Sequence, residues 1–121
     1  MAHVLIVEDD YEYRLLLSHF FRLRGLGVHT ATSGGEAFRD LRSGLQVDVI
    51  VSDIMMEDGD GFEFLRALRS LNIPIPLIFI SALGSEIEAH VRRAGAQACL
   101  RKPIDFKRLM CLVSELTTLR P

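Results

Sequence analysis

Five short runs, at residues 3–7, 27–31, 48–52, 76–80 and 97–100, punctuate the chain at fairly regular intervals. Most are rich in Val, Ile and Leu without polar alternation, which predicts strands covered on both faces rather than one. The segments between them change period. Leu16, Leu17, Phe20, Phe21 and Leu23 recur at helical spacing, as do Ala37, Phe38 and Leu41, then Phe62, Leu65 and Leu68. Further helices are expected at about residues 84–95 and 105–118. Gly25 and Gly27 should stop the first helix, Gly44 the second and Gly95 the fourth, each where a left-handed residue closes the last turn.

Strand and helix thus alternate five times with no repeat, low-complexity tract or linker between them. That pattern predicts an α/β fold, a three-layer α/β/α sandwich of (βα)5 type in which a five-stranded parallel sheet lies between two helix layers. In the flavodoxin-like order 2-1-3-4-5 the first and third strands are neighbours at the switch point, and ligands bind beyond their carboxyl ends. With 121 residues, 49% of them hydrophobic, residues 1–121 are expected to form a single domain.

Composition narrows the function by exclusion. The longest mostly apolar stretch, Ile73 to Leu83, carries two prolines and is too short to cross a bilayer, and Met1 to Asp10 lacks the basic start of a signal peptide. A soluble, cytoplasmic protein is therefore expected, with no membrane contact. Cys99 and Cys111 are too few for a disulfide scaffold, and their apolar surroundings suggest buried, reduced thiols. Net charge is −2, but residues 1–83 hold 7 basic and 12 acidic side chains against 7 and 4 in residues 84–121. The basic excess reads as solvated helix faces, so direct nucleic-acid binding is not expected.

The chemistry collects at the strand ends. Glu8 and Asp9 follow the first run and Asp53 ends the third, so three acids meet at one sheet edge if those strands are neighbours. Ser81 ends Leu77-Ile78-Phe79-Ile80, and Lys102-Pro103 follows the fifth run. Mg2+ takes hard oxygen ligands from a few carboxylates and completes its shell with water and phosphate oxygens, and Mn2+ can substitute for it. Glu8 and Asp9 suit that holding role. Asp53 can then attack a phosphoryl group, Lys102 can pair with the transferred group as a point charge, and Ser81 can offer one hydrogen bond. Asp10 is expected to cap the first helix. Glu57-Asp58-Gly59-Asp60-Gly61 looks like part of a calcium loop but lacks acids at Ile54 and Met56, and reads as a surface turn. His3, His19, His29 and His90 lack ligand spacing.

Over essentially its full length the chain resembles the receiver domain of two-component response regulators, of the chemotaxis-regulator kind. The residues that carry the resemblance are Leu5-Ile6-Val7-Glu8-Asp9-Asp10, Asp53-Ile54-Met55-Met56 with Gly61, Ser81-Ala82, Gly95-Ala96 and Lys102-Pro103. The resemblance implies that Asp53 accepts a phosphoryl group from a histidine kinase or histidine phosphotransfer domain. It further implies Mg2+ held by Glu8, Asp9, Asp53 and the backbone carbonyl of Met55, with Lys102 and Ser81 completing the site and a cis Lys102-Pro103 peptide. Such a protein is not an enzyme on external substrates; it catalyses only its own phosphoryl transfer and dephosphorylation. The partner would dock against the first helix and the Pro103-Ile104-Asp105 loop, with Tyr13, Leu15 and Ile104 as contact candidates. Output would pass to an effector domain beyond Pro121 or to a separate protein, from a monomer or a phosphorylation-dependent homodimer. Leu112 and Leu119 are candidates for a dimer face.

Two positions depart from the family pattern. Glu57 stands where a proline usually follows Met56, adding a negative charge near the expected metal. Cys99 stands where receivers commonly carry a Tyr or Phe, leaving space beside Ser81 and altering the coupling to output. Both keep a degenerate receiver, acting as an unphosphorylated interaction module, as the alternative. A haloacid-dehalogenase-type phosphatase would need a second Asp at the position of Met55, and a flavin- or nucleotide-binding module would need a Gly/Ser/Thr-rich loop where Glu8-Asp9-Asp10-Tyr11-Glu12 stands. Met55 and Leu83 offer no side chain to orient a hydrolytic water, which implies a fairly long-lived phosphoaspartate.

Overall fold

The computed structural model describes residues 1–56 and 60–118, the side chain of Ser85 excepted; Glu57 and Leu119 lie outside the described residues. Five parallel strands, β1 (His3–Val7), β2 (Gly27–Ala31), β3 (Val49–Asp53), β4 (Leu77–Ser81) and β5 (Ala98–Arg101), form one sheet in the order β2-β1-β3-β4-β5. The helices α1 (Tyr11–Leu23), α2 (Gly34–Arg42), α3 (Gly61–Ser70), α4 (Glu88–Ala94) and α5 (Phe106–Thr118) connect and cover them. This is the flavodoxin-like three-layer arrangement that the alternating pattern predicts.

Strand alternation divides the core in two. Val4, Ile6, Val49, Val51, Ile78, Ile80 and Leu100 pack against Leu17 and Phe21 of α1 and Leu109 and Val113 of α5. Their neighbours Leu5, Val7, Ile50, Leu77 and Phe79 face the other way, against α2, α3 and α4 through Leu41, Phe64, Leu65, Leu68 and Val91. Nearly every residue of the three central strands is fully buried, which is why they lack polar positions. The register Val7↔Ser52 and Asp53↔Ile80 brings the ends of β1, β3 and β4 to one edge.

Gly25, Gly44 and Gly95 adopt φ of +83°, +109° and +98° after α1, α2 and α4, as expected for helix ends. Gly27 does not share that role, because it opens β2 and leaves room for the ring of His3, which a Cβ there would meet at 2.3 Å. Asn72 takes the left-handed turn after α3 with φ of 56°, a geometry its short polar side chain tolerates. The fourth helix begins later than its pattern suggests, since a 3-10 turn at Ser85–Ile87 precedes it. Asp10 occupies the N-cap of α1, but its side chain makes no capping bond. Both cysteines are free; Cys99 is half-buried, whereas Cys111 is exposed on α5 and not buried as expected. Leu112, expected outside the core stripe, is half-buried against the α1/α5 core. No helix among the described residues is long and apolar enough to cross a membrane.

Gly61 ties the loop after β3 to the start of α3. Its N–H donates to the Ile54 carbonyl at 2.6 Å, and a Cβ would lie 2.5 Å from the Asp53 carbonyl oxygen and 2.7 Å from the Phe79 ring. Because backbone cannot yield as a flexible side chain can, Gly61→Ala is expected to cost about 2 kcal/mol, measured by urea unfolding against the wild type.

Candidate functional site

The site is built at the carboxyl ends of β1, β3 and β5. Lys102 Nζ donates to Glu8 Oε1 at 2.8 Å and to Asp53 Oδ2 at 2.9 Å, bridging residues 94 and 49 positions away in sequence. Glu8 is fully buried, the Asp53 side chain is 9% exposed and that of Lys102 17%, so little water screens the pair of ion contacts. The ring of Tyr13, in the first turn of α1, lies under the ammonium at 4.3 Å from its centroid.

Backbone and guanidinium donors fix the surrounding loops. Arg14 Nη1 donates to the carbonyls of Glu8 at 2.8 Å and Asp9 at 3.3 Å, which holds the β1–α1 turn against the helix. Met55 N donates to Asp53 Oδ1 at 3.2 Å and Asp10 N to Glu8 Oε2 at 3.3 Å. Ligand oxygens of Glu8, Asp9 and Asp53 all lie within 4.8 Å of one another. Three hard oxygen donors at that spacing suit a small divalent cation such as Mg2+, with Asp9 the most exposed of them.

Alternation extends one residue past the strands. Glu8, Asp53 and Lys102 share the parity of Ile6, Val51 and Leu100, which face α1 and α5. Ser81 has the opposite parity, that of Phe79, which faces the α2–α4 layer. Its hydroxyl is buried and accepts a hydrogen bond from Leu83 N at 2.9 Å. The Lys102–Pro103 peptide is cis. Met55 and Leu83 are 60% and 37% exposed, so neither is a core packing residue. A cleft of about 110 Å3 lined by Leu83, Gly84, Ile87, Glu88, Cys99 and Arg101 occupies the space expected beside a small residue at position 99.

The electrostatics follow from burial. Removal of Glu8 from water, reinforced by the nearby Asp53 charge and only partly offset by Lys102, pushes the Glu8 carboxyl up to about 7. Burial works against the Lys102 ammonium, but its hydrogen bonds to Glu8 and Asp53 outweigh that and hold it above the ordinary lysine value. Burial and the charge of Glu88 raise the Cys99 thiol, which disfavours the reactive thiolate.

The sequence pattern of the family described as "Response regulator receiver domain" matches residues 4–114. Response regulator SaeR of Staphylococcus aureus is 29% identical over 119 residues, which are 98% of this chain and 51% of that protein. The chain thus spans about half the length of the curated relatives it matches. Among solved structures, the receiver domain of Francisella response regulator 1452 superposes with a TM-score of 0.92 at 31% identity, covering 98% of each chain. Response regulator TrrA of Thermotoga maritima, solved in complex with Mg(2+)-BeF, has a TM-score of 0.86 at 27% identity over 96% of this chain and 99% of its own. The chain belongs to the response regulator receiver domain family, a signalling module of two-component systems.

The structure gathers Glu8, Asp9, Asp53 and Lys102, places the Met55 amide on Asp53, and leaves the Ser81 hydroxyl engaged within its own loop. Sequence reasoning missed Arg14 and singled out Tyr13 only as a docking residue. Neither carries a motif; their spacing from Asp10 places them in the first turn of α1, beside the strand ends, but not in contact with any particular group.

The raised Glu8 carboxyl sets a pH dependence. Between the ordinary glutamate value of 4.5 and about 7, the folded chain keeps a proton on Glu8 that the unfolded chain has released. Stability from this group is therefore present at low pH and lost as pH rises through that window. Thermal unfolding without divalent cations should show Tm falling from pH 5 to 7.5, with a flatter profile for Glu8→Gln; a wild-type Tm that rises across the window would contradict the assignment.

Proposed function

We propose that this chain is a phospho-acceptor that takes a phosphoryl group onto Asp53 from a histidine kinase or a histidine phosphotransfer domain and changes its interaction surface as a result. The observation that carries the reading is the Lys102 ammonium set between Glu8 and Asp53 beside Asp9, which puts a nucleophilic carboxylate, a cation for the incoming oxygens and further hard oxygen donors in one place.

In the transfer, the P–N bond of a phosphohistidine breaks with its electron pair left on the imidazole nitrogen, which takes up a proton from solvent, and a P–O bond forms to an Asp53 carboxylate oxygen. A Mg2+ or Mn2+ ion held by Glu8, Asp9, Asp53 and the Met55 carbonyl would supply positive charge against the phosphoryl oxygens. That the Thermotoga relative was solved in complex with Mg(2+)-BeF supports a divalent cation in this chain as well. Lys102 stays protonated and pairs with the transferred group. The Ser81 hydroxyl, occupied as an acceptor from Leu83 N, keeps its own proton free to donate to a phosphoryl oxygen.

Tyr11 and Leu15, 65% and 54% exposed on α1, give the partner apolar contact beside the crevice. Ile104, by contrast, is buried and presents no side chain to it, which corrects that candidate. A cytoplasmic setting follows from such a partner, and an effector region beyond Pro121 or a separate protein would receive the signal. The cleft beside Cys99 replaces an aromatic side chain there, so coupling to α4 is altered relative to receivers that carry one.

Incubation with acetyl phosphate, with and without Mg2+, followed by intact mass, should show one added phosphoryl group that requires both the cation and Asp53. Asp53→Asn should show none. A folded protein that gains no mass would favour the unphosphorylated interaction module. With the exposed, apolar Met55 and Leu83 flanking the crevice, phosphate release from the modified protein is expected to be slow. Time-resolved intact mass after removal of acetyl phosphate checks this, and complete loss at the earliest time point would overturn it.

A further inference from the structure

We propose that Tyr13 is a positioning residue for phosphoryl transfer, its ring holding the Lys102 ammonium in place above Asp53; this rests on the phospho-acceptor reading of the site. The ammonium is enclosed on three sides, by Glu8 Oε1 at 2.8 Å, Asp53 Oδ2 at 2.9 Å and the face of the Tyr13 ring at 4.3 Å. A lysine is a point charge on a flexible stem, so its usefulness to a transferred phosphoryl group depends on what confines it. One of the two carboxylate sides is disturbed by the reaction itself, because Asp53 gives up an anionic oxygen when the P–O bond forms. The ring is a side that transfer does not alter. Tyr13 is half-buried against Leu17, Phe21 and the rest of the α1/α5 core, which fixes the ring on α1 independently of the site. The negative face of an aromatic ring attracts a cation most strongly where water is scarce, and the Lys102 side chain is only 17% exposed.

The contact needs the ring and not the phenolic hydroxyl, so Tyr13→Phe should preserve it and Tyr13→Leu should abolish it at similar bulk. With acetyl phosphate as donor no docking partner is involved, and a role of Tyr13 in partner contact would leave the rate untouched. We expect Tyr13→Leu to slow phosphorylation about three- to tenfold, the range a partly desolvated cation–ring contact supports. Tyr13→Phe should recover the wild-type rate within about twofold on the same scale. A second readout needs neither phosphoryl group nor cation: the side-chain NMR signals of Lys102 next to its ammonium should be displaced upfield by the ring in the wild type and in Tyr13→Phe, and return to ordinary positions in Tyr13→Leu. A Leu variant that loses the displacement yet reacts at the wild-type rate overturns the proposal, as does a Phe variant as slow as the Leu variant, or a wild type without displaced signals. A wild type with displaced signals but no mass gain at Asp53 would instead sink the phospho-acceptor reading, and the positioning role with it.

Discussion

One ammonium holds the far ends of the chain together. Glu8 and Asp53 are carboxylates at the ends of adjacent strands with almost no access to water, and their repulsion has to be answered from within the protein. Lys102 answers it from the end of β5, two strands away from β3 in the sheet. Even so one cation faces two acids with a third close by, and the Glu8 carboxyl is raised, chiefly by its burial and further by the Asp53 charge. A cluster of carboxylates of this kind suits a divalent cation.

Such a convergence depends on a sheet whose strands all point one way. Parallel strands bring their carboxyl ends to a common edge, and the crossover helices carry the chain back so that each loop on that edge can be short and tightly specified. The loops are fixed by local donors: Arg14 grips two carbonyls of the β1–α1 turn, and Gly61 lets the chain after Asp53 fold back against its own backbone. At the opposite end of the sheet, Arg69 plays a comparable part by donating to the carbonyls of Ile73, Ile75 and Gly95.

Much of this is legible in the sequence. The uninterrupted apolar runs announced strands buried on both faces, and acids at two of their ends announced the edge where chemistry would collect, because burial and strand direction leave direct marks on composition. Tyr13 and Arg14 left none. Their importance lies in where α1 leans on the sheet, a tertiary relation that residue type and spacing do not encode. The late start of α4 and the exposure of Cys111 went unread for the same reason: one depends on how the chain leaves β4, the other on which side of α5 meets the core. Gly27 misled because glycine signals a helix stop and an absent side chain alike, and here the need was space for the His3 ring.

The parity of the strand ends turns the sheet into a partition. Glu8, Asp53 and Lys102 stand on the side of α1 and α5, while Ser81 stands toward α3 and α4. Helices on the two sides therefore meet the same few atoms through separate cores, with Asp53 linked to the α3 side through the Met55 amide that donates to its carboxylate. Among the described residues, the two faces thus meet at this edge through the loops after β3 and β4, where the Met55 amide donates to Asp53 and the Leu83 amide to Ser81.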